Sequence, residues 1–310
     1  MTVLVLGATG FIGPRLIRRL VARGESVVGM DLNPAAAPFG GVPIGAPVVR
    51  GDVTHFEDVM RTILDVKPER VAYGLGMGEG NPHLAMRLDI LGMDNVFEAC
   101  RLTGVKRVVY ASSIAVSGQQ SHFGDRMATE DDPVYGTSQY AMHKIFNEFQ
   151  AQQYNKHYGM SITGVRPANV TGPDKVRGSV DHVQLITLPA QGKPVHLPWK
   201  AMMRLPIHVE DIAEVFVRVL LADAPRYPVY NSGGAPISLG DIAEIVREFL
   251  PEAQMTFAND GGIEESGNYL VDNSRLRQEF EVEYPPFRTR VLDIINDIRR
   301  QEGLPLVQGR

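Results

Sequence analysis

A single cysteine, Cys100, stands among 310 residues, so no disulfide closes within the chain. A lone thiol is compatible with a reducing compartment, and the chain is read as cytoplasmic. No apolar run approaches the roughly 18 residues that a spanning helix requires, so no membrane association is expected. Thr2-Val3-Leu4-Val5-Leu6 follows the first methionine without a basic region or a small-residue cleavage site, and reads as a strand, not a signal peptide. Charge of one sign is never concentrated: 31 basic and 36 acidic residues are interspersed and leave a net −5, which argues against nucleic acid as a partner. The eight histidines include no pair at the spacing of a helical zinc site, and Cys100 has no sulfur partner, so no metal is expected. No serine lies in a nucleophile-elbow pentapeptide. Cys100, in Phe97-Glu98-Ala99-Cys100, reads as a small buried residue and not as a nucleophile.

What is present is ordinary globular composition, 44% hydrophobic and 22% charged, arranged as short apolar runs alternating with amphipathic segments. Strands are predicted at 3–6, 27–30, 48–50, 70–73, 107–111 and 161–166. Helices are predicted at 11–22, 56–65, 84–103 and 138–157. This alternation implies an α/β fold, a doubly wound parallel Rossmann sheet with right-handed crossovers. After Pro167 the regularity weakens. Pro173, Pro189, Pro194, Pro198 and Pro206 punctuate the chain, and helices remain readable at 211–221, 239–249 and 288–300. Residues 1–170 are read as the nucleotide-binding domain, and 171–310 as a smaller C-terminal α/β substrate lobe, some of whose segments return to the first sheet.

Gly7-Ala8-Thr9-Gly10-Phe11-Ile12-Gly13 follows the first strand and opens the first helix, the context that a dinucleotide-binding glycine loop requires. Gly7 permits the turn, Gly10 lets backbone approach a pyrophosphate, and Gly13 allows close helix packing. Thr9, Phe11 and Ile12 complete the loop, whose helix N-terminus offers N–H groups to phosphate. Asp31 ends the second strand, 18 residues past Gly13, where a carboxylate hydrogen-bonds the adenosine ribose and repels a 2′-phosphate. The stretch that follows, 32–37, holds no cation, so NAD is favoured over NADP. Asp52, in Gly51-Asp52-Val53, is placed to accept the adenine amino group.

Tyr140 and Lys144 lie one turn apart on a helix face. A free phenol has a pKa of about 10, too high for useful acid/base work at neutral pH; a neighbouring ammonium and an oxidised nicotinamide favour the phenolate. Lys144 can also hold the nicotinamide ribose. Ser113 ends the fifth strand at the carboxyl edge of the sheet, where open α/β proteins bind ligands, and can polarise the substrate oxygen that Tyr140 protonates or deprotonates.

In these segments, together with Arg166-Pro167-Ala168-Asn169-Val170, Gly172-Pro173, Ile207-His208-Val209-Glu210-Asp211 and Tyr230-Asn231, the chain resembles the extended short-chain dehydrogenases/reductases, often labelled the NAD-dependent epimerase/dehydratase family. The resemblance spans nearly the whole chain. It implies catalysis by Ser113, Tyr140 and Lys144, with Ser113 chosen over Ser112 because it precedes Gly118 by five residues. It adds Val53, Leu75 and Gly76 to the cofactor contacts, and Met77, Ser117, Asn169 and Arg204 to the substrate side, with Glu79 near them. It also implies a homodimer through the helices 84–103 and 138–157, with Met93, Phe97, Met142, Phe146 and Phe149 as the apolar face.

The departures from the family pattern narrow the chemistry. Ile114 and Ala115 replace the acidic pair of dehydratases, so water elimination lacks proton donors. Ser117 stands where a tyrosine is usual, and Asp89 where an asparagine is usual. Arg204 matches the first of two arginines that grip a nucleotide diphosphate; the segment 257–271 that should carry the second holds Asp260, Glu264 and Glu265 and no cation. Arg204 then either binds a single carboxylate or phosphate, or pairs with Glu210 or Asp211. The leading reading is an NAD-dependent oxidoreductase acting on a secondary alcohol or ketone of a polyol, sugar or sugar acid. The alternatives are an NAD-dependent sugar epimerase and a non-catalytic NAD-sensing regulator.

Overall fold

A computed structural model describes residues 1–76, 80–262 and 267–309. Seven strands form one parallel sheet: β1 (Thr2–Leu6), β2 (Ser26–Asp31), β3 (Val48–Arg50), β4 (Arg70–Tyr73), β5 (Arg107–Ala111), β6 (Ser161–Arg166) and, far along the chain, β11 (Val229–Asn231). Their order is β11-β6-β5-β4-β1-β2-β3, with the turning point between β1 and β4, where a ligand crevice opens at the carboxyl ends. Successive side chains of a strand face opposite ways, and β1 shows it. Val3 and Val5 pack with Leu16, Ile17 and Leu20 of α1 (Gly13–Ala22) and with α7 (Val209–Leu221). Leu4 and Leu6 pack on the other face with α2 (Phe56–Val66), α4 (Gly92–Thr103) and α5 (Gln139–Tyr158). The sheet is thus wound on both faces.

The helix predicted over 84–103 is three pieces: α3 (Pro82–Met86), a wide turn over Arg87–Leu91, and α4. In that turn the Gly92 N–H bonds back to the Arg87 carbonyl, five residues away. Gly92 is required there, since a Cβ would sit 2.9 Å from Val53 and 3.2 Å from the Tyr73 hydroxyl. Helix α1 starts at Gly13, not Phe11, because the glycine loop runs two residues further.

Beyond β7 (Asn169–Thr171), the chain forms α6 (Asp181–Ala190), β8 (Val195–Trp199), β9 (Met203–Arg204) and β10 (Pro206–His208); after α7 and β11 come β12 (Ile237–Ser238), α8 (Leu239–Phe249), β13 (Met255–Asn259), α9 (Ser274–Phe280) and α10 (Phe287–Gln301). Helices α6, α8 and α10 with β8 and β13 share a core separate from the two flanking the large sheet. Helix α7 and strand β11, by contrast, belong to the nucleotide-binding layers.

Two residues read as interface are interior. Met93 and Phe97 are fully buried among the α2–α4 core residues, because the face of α4 that carries them turns to the sheet. Met142, Phe146 and Phe149 of α5 are exposed at 53%, 42% and 57%.

Candidate active site

The glycine loop is built for close approach. Gly7 has φ +84°, and a Cβ on Gly13 would lie 2.1 Å from the Gly7 carbonyl oxygen, so neither position takes a larger residue without strain. The Gly7 N–H donates to the Met30 carbonyl at 3.0 Å and fixes the loop over β2. Helix α1 begins without a side-chain cap and with no acid in its first turn, so the positive end of its dipole, at the glycine loop, suits a diphosphate. Asp31 stands at the end of β2, where Oδ2 accepts the Thr9 N–H at 3.0 Å and Oδ1 that of Asn33 at 3.2 Å. Asp52 accepts from the Thr54 N–H at 2.9 Å. The Val53 side chain is buried, and its carbonyl accepts from Asn95 at 2.8 Å. Gly10, Thr9, Phe11 and Ile12 line the open side of the loop; Phe11 also packs under Gly172, whose Cβ would meet its ring at 3.0 Å. These residues fit a bound NAD.

Helix α5 starts at Gln139 because the Ser138 hydroxyl caps it, accepting the Ala141 N–H at 3.2 Å. Its first turns carry Tyr140 and Lys144 to the ends of β4 and β5. The Lys144 ammonium donates to the Ala111 carbonyl at 2.7 Å and the Leu75 carbonyl at 3.3 Å, and lies 5.5 Å from the Tyr140 ring centre. Gly76 leaves room for it, since a Cβ there would be 3.2 Å from Nζ. Burial pushes the Lys144 pKa down to about 8, opposed by Asp89 and Glu148. Burial pushes the Tyr140 phenol up to about 12, while its hydrogen bond with Ser113 pulls it down. Ser113 opens the short turn Ile114–Ser117, with its hydroxyl accepting the Ala115 N–H at 3.1 Å. Ser112 turns inward and donates to Glu148, which also grips Arg166 through both carboxylate oxygens. A phenol, a hydroxyl and an ammonium thus converge beside the nucleotide loop, an arrangement able to move a proton on a substrate oxygen.

On the substrate side, Ser117 is buried and Asn169 Oδ1 accepts the Leu205 N–H at 2.8 Å. Met77, Glu79, Glu264 and Glu265 lie outside the described residues. Arg204 pairs with neither Glu210 nor Asp211. Glu210 holds Arg19 and Asp211 holds Arg290, whereas Arg204 forks onto Asp181 through Nε (3.1 Å) and Nη2 (2.5 Å). Beside this pair, Lys175 donates to the Val170 carbonyl at 2.7 Å, and burial lowers its pKa to about 8. His182 is fully buried against Asp181, and burial lowers its pKa to about 4. Sequence reasoning missed Lys175, Asp181 and His182, because the proline-broken stretch gives no periodicity that would place them.

The model of the NAD dependent epimerase/dehydratase family matches residues 3–233. The chain is 26% identical to dTDP-4-dehydro-6-deoxy-D-allose reductase of Streptomyces bikiniensis over 93% of each chain. It is 31% identical to UDP-glucose 4-epimerase of Mycolicibacterium smegmatis over 56% of this chain and 57% of that protein. Among solved structures, UDP-glucose 4-epimerase of Thermus thermophilus in complex with NAD superposes with a TM-score of 0.84 at 25% identity, covering 96% of this chain and 99% of that one. With a nucleotide loop that fits NAD and an acid/base cluster beside it, the chain belongs to the NAD dependent epimerase/dehydratase family, as an extended short-chain dehydrogenase/reductase that uses NAD in a dehydrogenase or epimerase reaction.

Proposed function

We propose that the protein is an NAD-dependent dehydrogenase of a small sugar-like secondary alcohol, a sugar acid above all, in a cytoplasmic setting where Cys100 stays a buried thiol. Tyr140 acts as the general acid/base, Ser113 polarises the same substrate oxygen, and Lys144 holds the nicotinamide ribose and favours the phenolate. NAD, when bound, takes up or gives the hydride; the chain orients the substrate and handles the proton.

The observation that carries the substrate class is the cluster beside Asn169 and Val170. Among the described residues of the cluster, Lys175 and Arg204 are cationic, Asp181 is anionic and His182 is neutral, which leaves one net positive charge. That suits one carboxylate or phosphate. A nucleotide diphosphate brings two negative charges, usually met by bidentate arginines; here Arg204 is already forked onto Asp181, and residues 257–271 supply no cation. The epimerase reading is supported by the named activity of the Mycolicibacterium relative and of the Thermus structure.

The test mixes protein and NAD with polyols, sugar acids and nucleotide sugars. Reduced nicotinamide that builds up with a sugar acid supports the proposal. Conversion of a nucleotide sugar without such build-up, or micromolar binding of UDP or UDP-glucose to NAD-loaded protein, overturns it in favour of the epimerase. The same reading includes a homodimer through α5 and its neighbour α4, supported by the exposed Met142, Phe146 and Phe149.

A further inference from the structure

Directly under the Tyr140–Lys144 face lies a second titratable pair that the proposed chemistry does not use. Asp89, fully buried in the wide turn Arg87–Leu91, has Oδ2 3.0 Å from Nδ1 of His143. Its main-chain carbonyl accepts from Asn147 Nδ2 at 2.9 Å. Tyr140 lies three residues before His143 and four before Lys144, and Asn147 follows them by four and three, so one side of α5 carries both the acid/base groups and the contacts to Asp89. Wide turns of this kind recur where a helix must redirect a side chain at a functional site.

The surrounding charges define what the pair can do. Among the described residues, the carboxylates that act on Lys144 are Asp89 and Glu148. Glu148 is engaged by Arg166 and by Ser112. From β4, the Tyr73 hydroxyl donates to the Leu88 carbonyl, and burial, then Asp89 and Asp52, oppose its ionisation. Arg87 reaches away to the Thr54 hydroxyl at 3.2 Å. Asp89 also bears on Tyr140, disfavouring the phenolate. A buried ammonium whose hydrogen bonds among the described residues go to carbonyl oxygens needs a counter-charge to stay protonated. Asp89 supplies one.

We propose that Asp89, held at its carboxylate by His143 and at its carbonyl by Asn147, is a positioning residue whose negative charge keeps Lys144 an ammonium and bears on the Tyr140 phenol. The inference rests on the acid/base reading of Tyr140 and Lys144. It makes Asp89 more than a shape substitute for an amide, and predicts that the charge, not the packing, is what matters.

The experiment follows tyrosinate absorbance against pH in NAD-free and NAD-loaded protein, with Tyr140→Phe subtracted to isolate Tyr140. Asp89→Asn keeps the shape and an acceptor for His143 but removes the charge, and the Tyr140 midpoint should fall by about one pH unit. His143→Gln disturbs the packing as much yet leaves the charge, and the midpoint should stay within a few tenths of a unit. An unmoved midpoint in Asp89→Asn, or an equal shift in His143→Gln, overturns the proposal. If no Tyr140 signal titrates in the wild type at all, the acid/base reading itself fails and takes this inference with it.

Discussion

Lys144 carries an ammonium where burial resists one. Its pKa, near 8 against an ordinary 10.5, means that between those values the unfolded chain binds more protons than the folded one. Stability should therefore rise with pH across that window, and the protonated lysine costs stability below it. Lys144→Met should lose this rise in stability; denaturant unfolding of both proteins at several pH values between 7 and 10 checks the sign. Asp31 makes a second argument at this scale. Its carboxylate, held in place by the Thr9 and Asn33 N–H groups, would face a 2′-phosphate as a like charge. Asp31→Ser should narrow the preference in kcat/KM for NAD over NADP, and a wild-type protein that prefers NADP would refute the electrostatic reading.

At the scale of elements, Gly13 ties the cofactor loop to α1. Gly13→Ala forces a methyl group onto the Gly7 and Ala8 carbonyls, an overpacking that should cost about 1–3 kcal/mol and weaken NAD binding together; calorimetry of NAD binding beside a melting curve measures both. This loop was legible in the sequence because spacing, a preceding strand and a following helix all follow from local rules. The strands and most helices around the sheet were legible for the same reason, since apolar alternation and helical periodicity are local. The wide turn at Arg87–Leu91 was not, because one extra residue in a helical turn leaves the composition unchanged and is fixed by Gly92 packing on Val53 and Tyr73. Helix α6 was hidden by Pro189 near its end and by prolines on either side. The partners of Arg204 and His143 were equally invisible, since Asp181 and Asp89 meet them across 23 and 54 residues of chain.

For the whole molecule, the two flanking cores join a sheet whose carboxyl edge carries the nucleotide loop and the acid/base cluster, while α6, α8 and α10 build a separate core with β8 and β13. The sequence placed five apolar residues on the dimer face; the fold leaves only Met142, Phe146 and Phe149 of those outside, because Met93 and Phe97 serve the sheet. The proposed dimer pairs through this smaller face. Light scattering at micromolar concentration should give twice the chain mass, and Phe146→Asp with Phe149→Asp should give a monomer; a monomeric wild type would remove the dimer.

The account rests on Tyr140 moving a proton beside bound NAD. Tyr140→Phe removes only the hydroxyl that meets Ser113, so the fold and the NAD affinity should be kept. Turnover of the sugar-like alcohol that reduces NAD in the wild type should fall by roughly 100-fold or more. Wild-type turnover in that variant, with NAD still bound, would contradict the account.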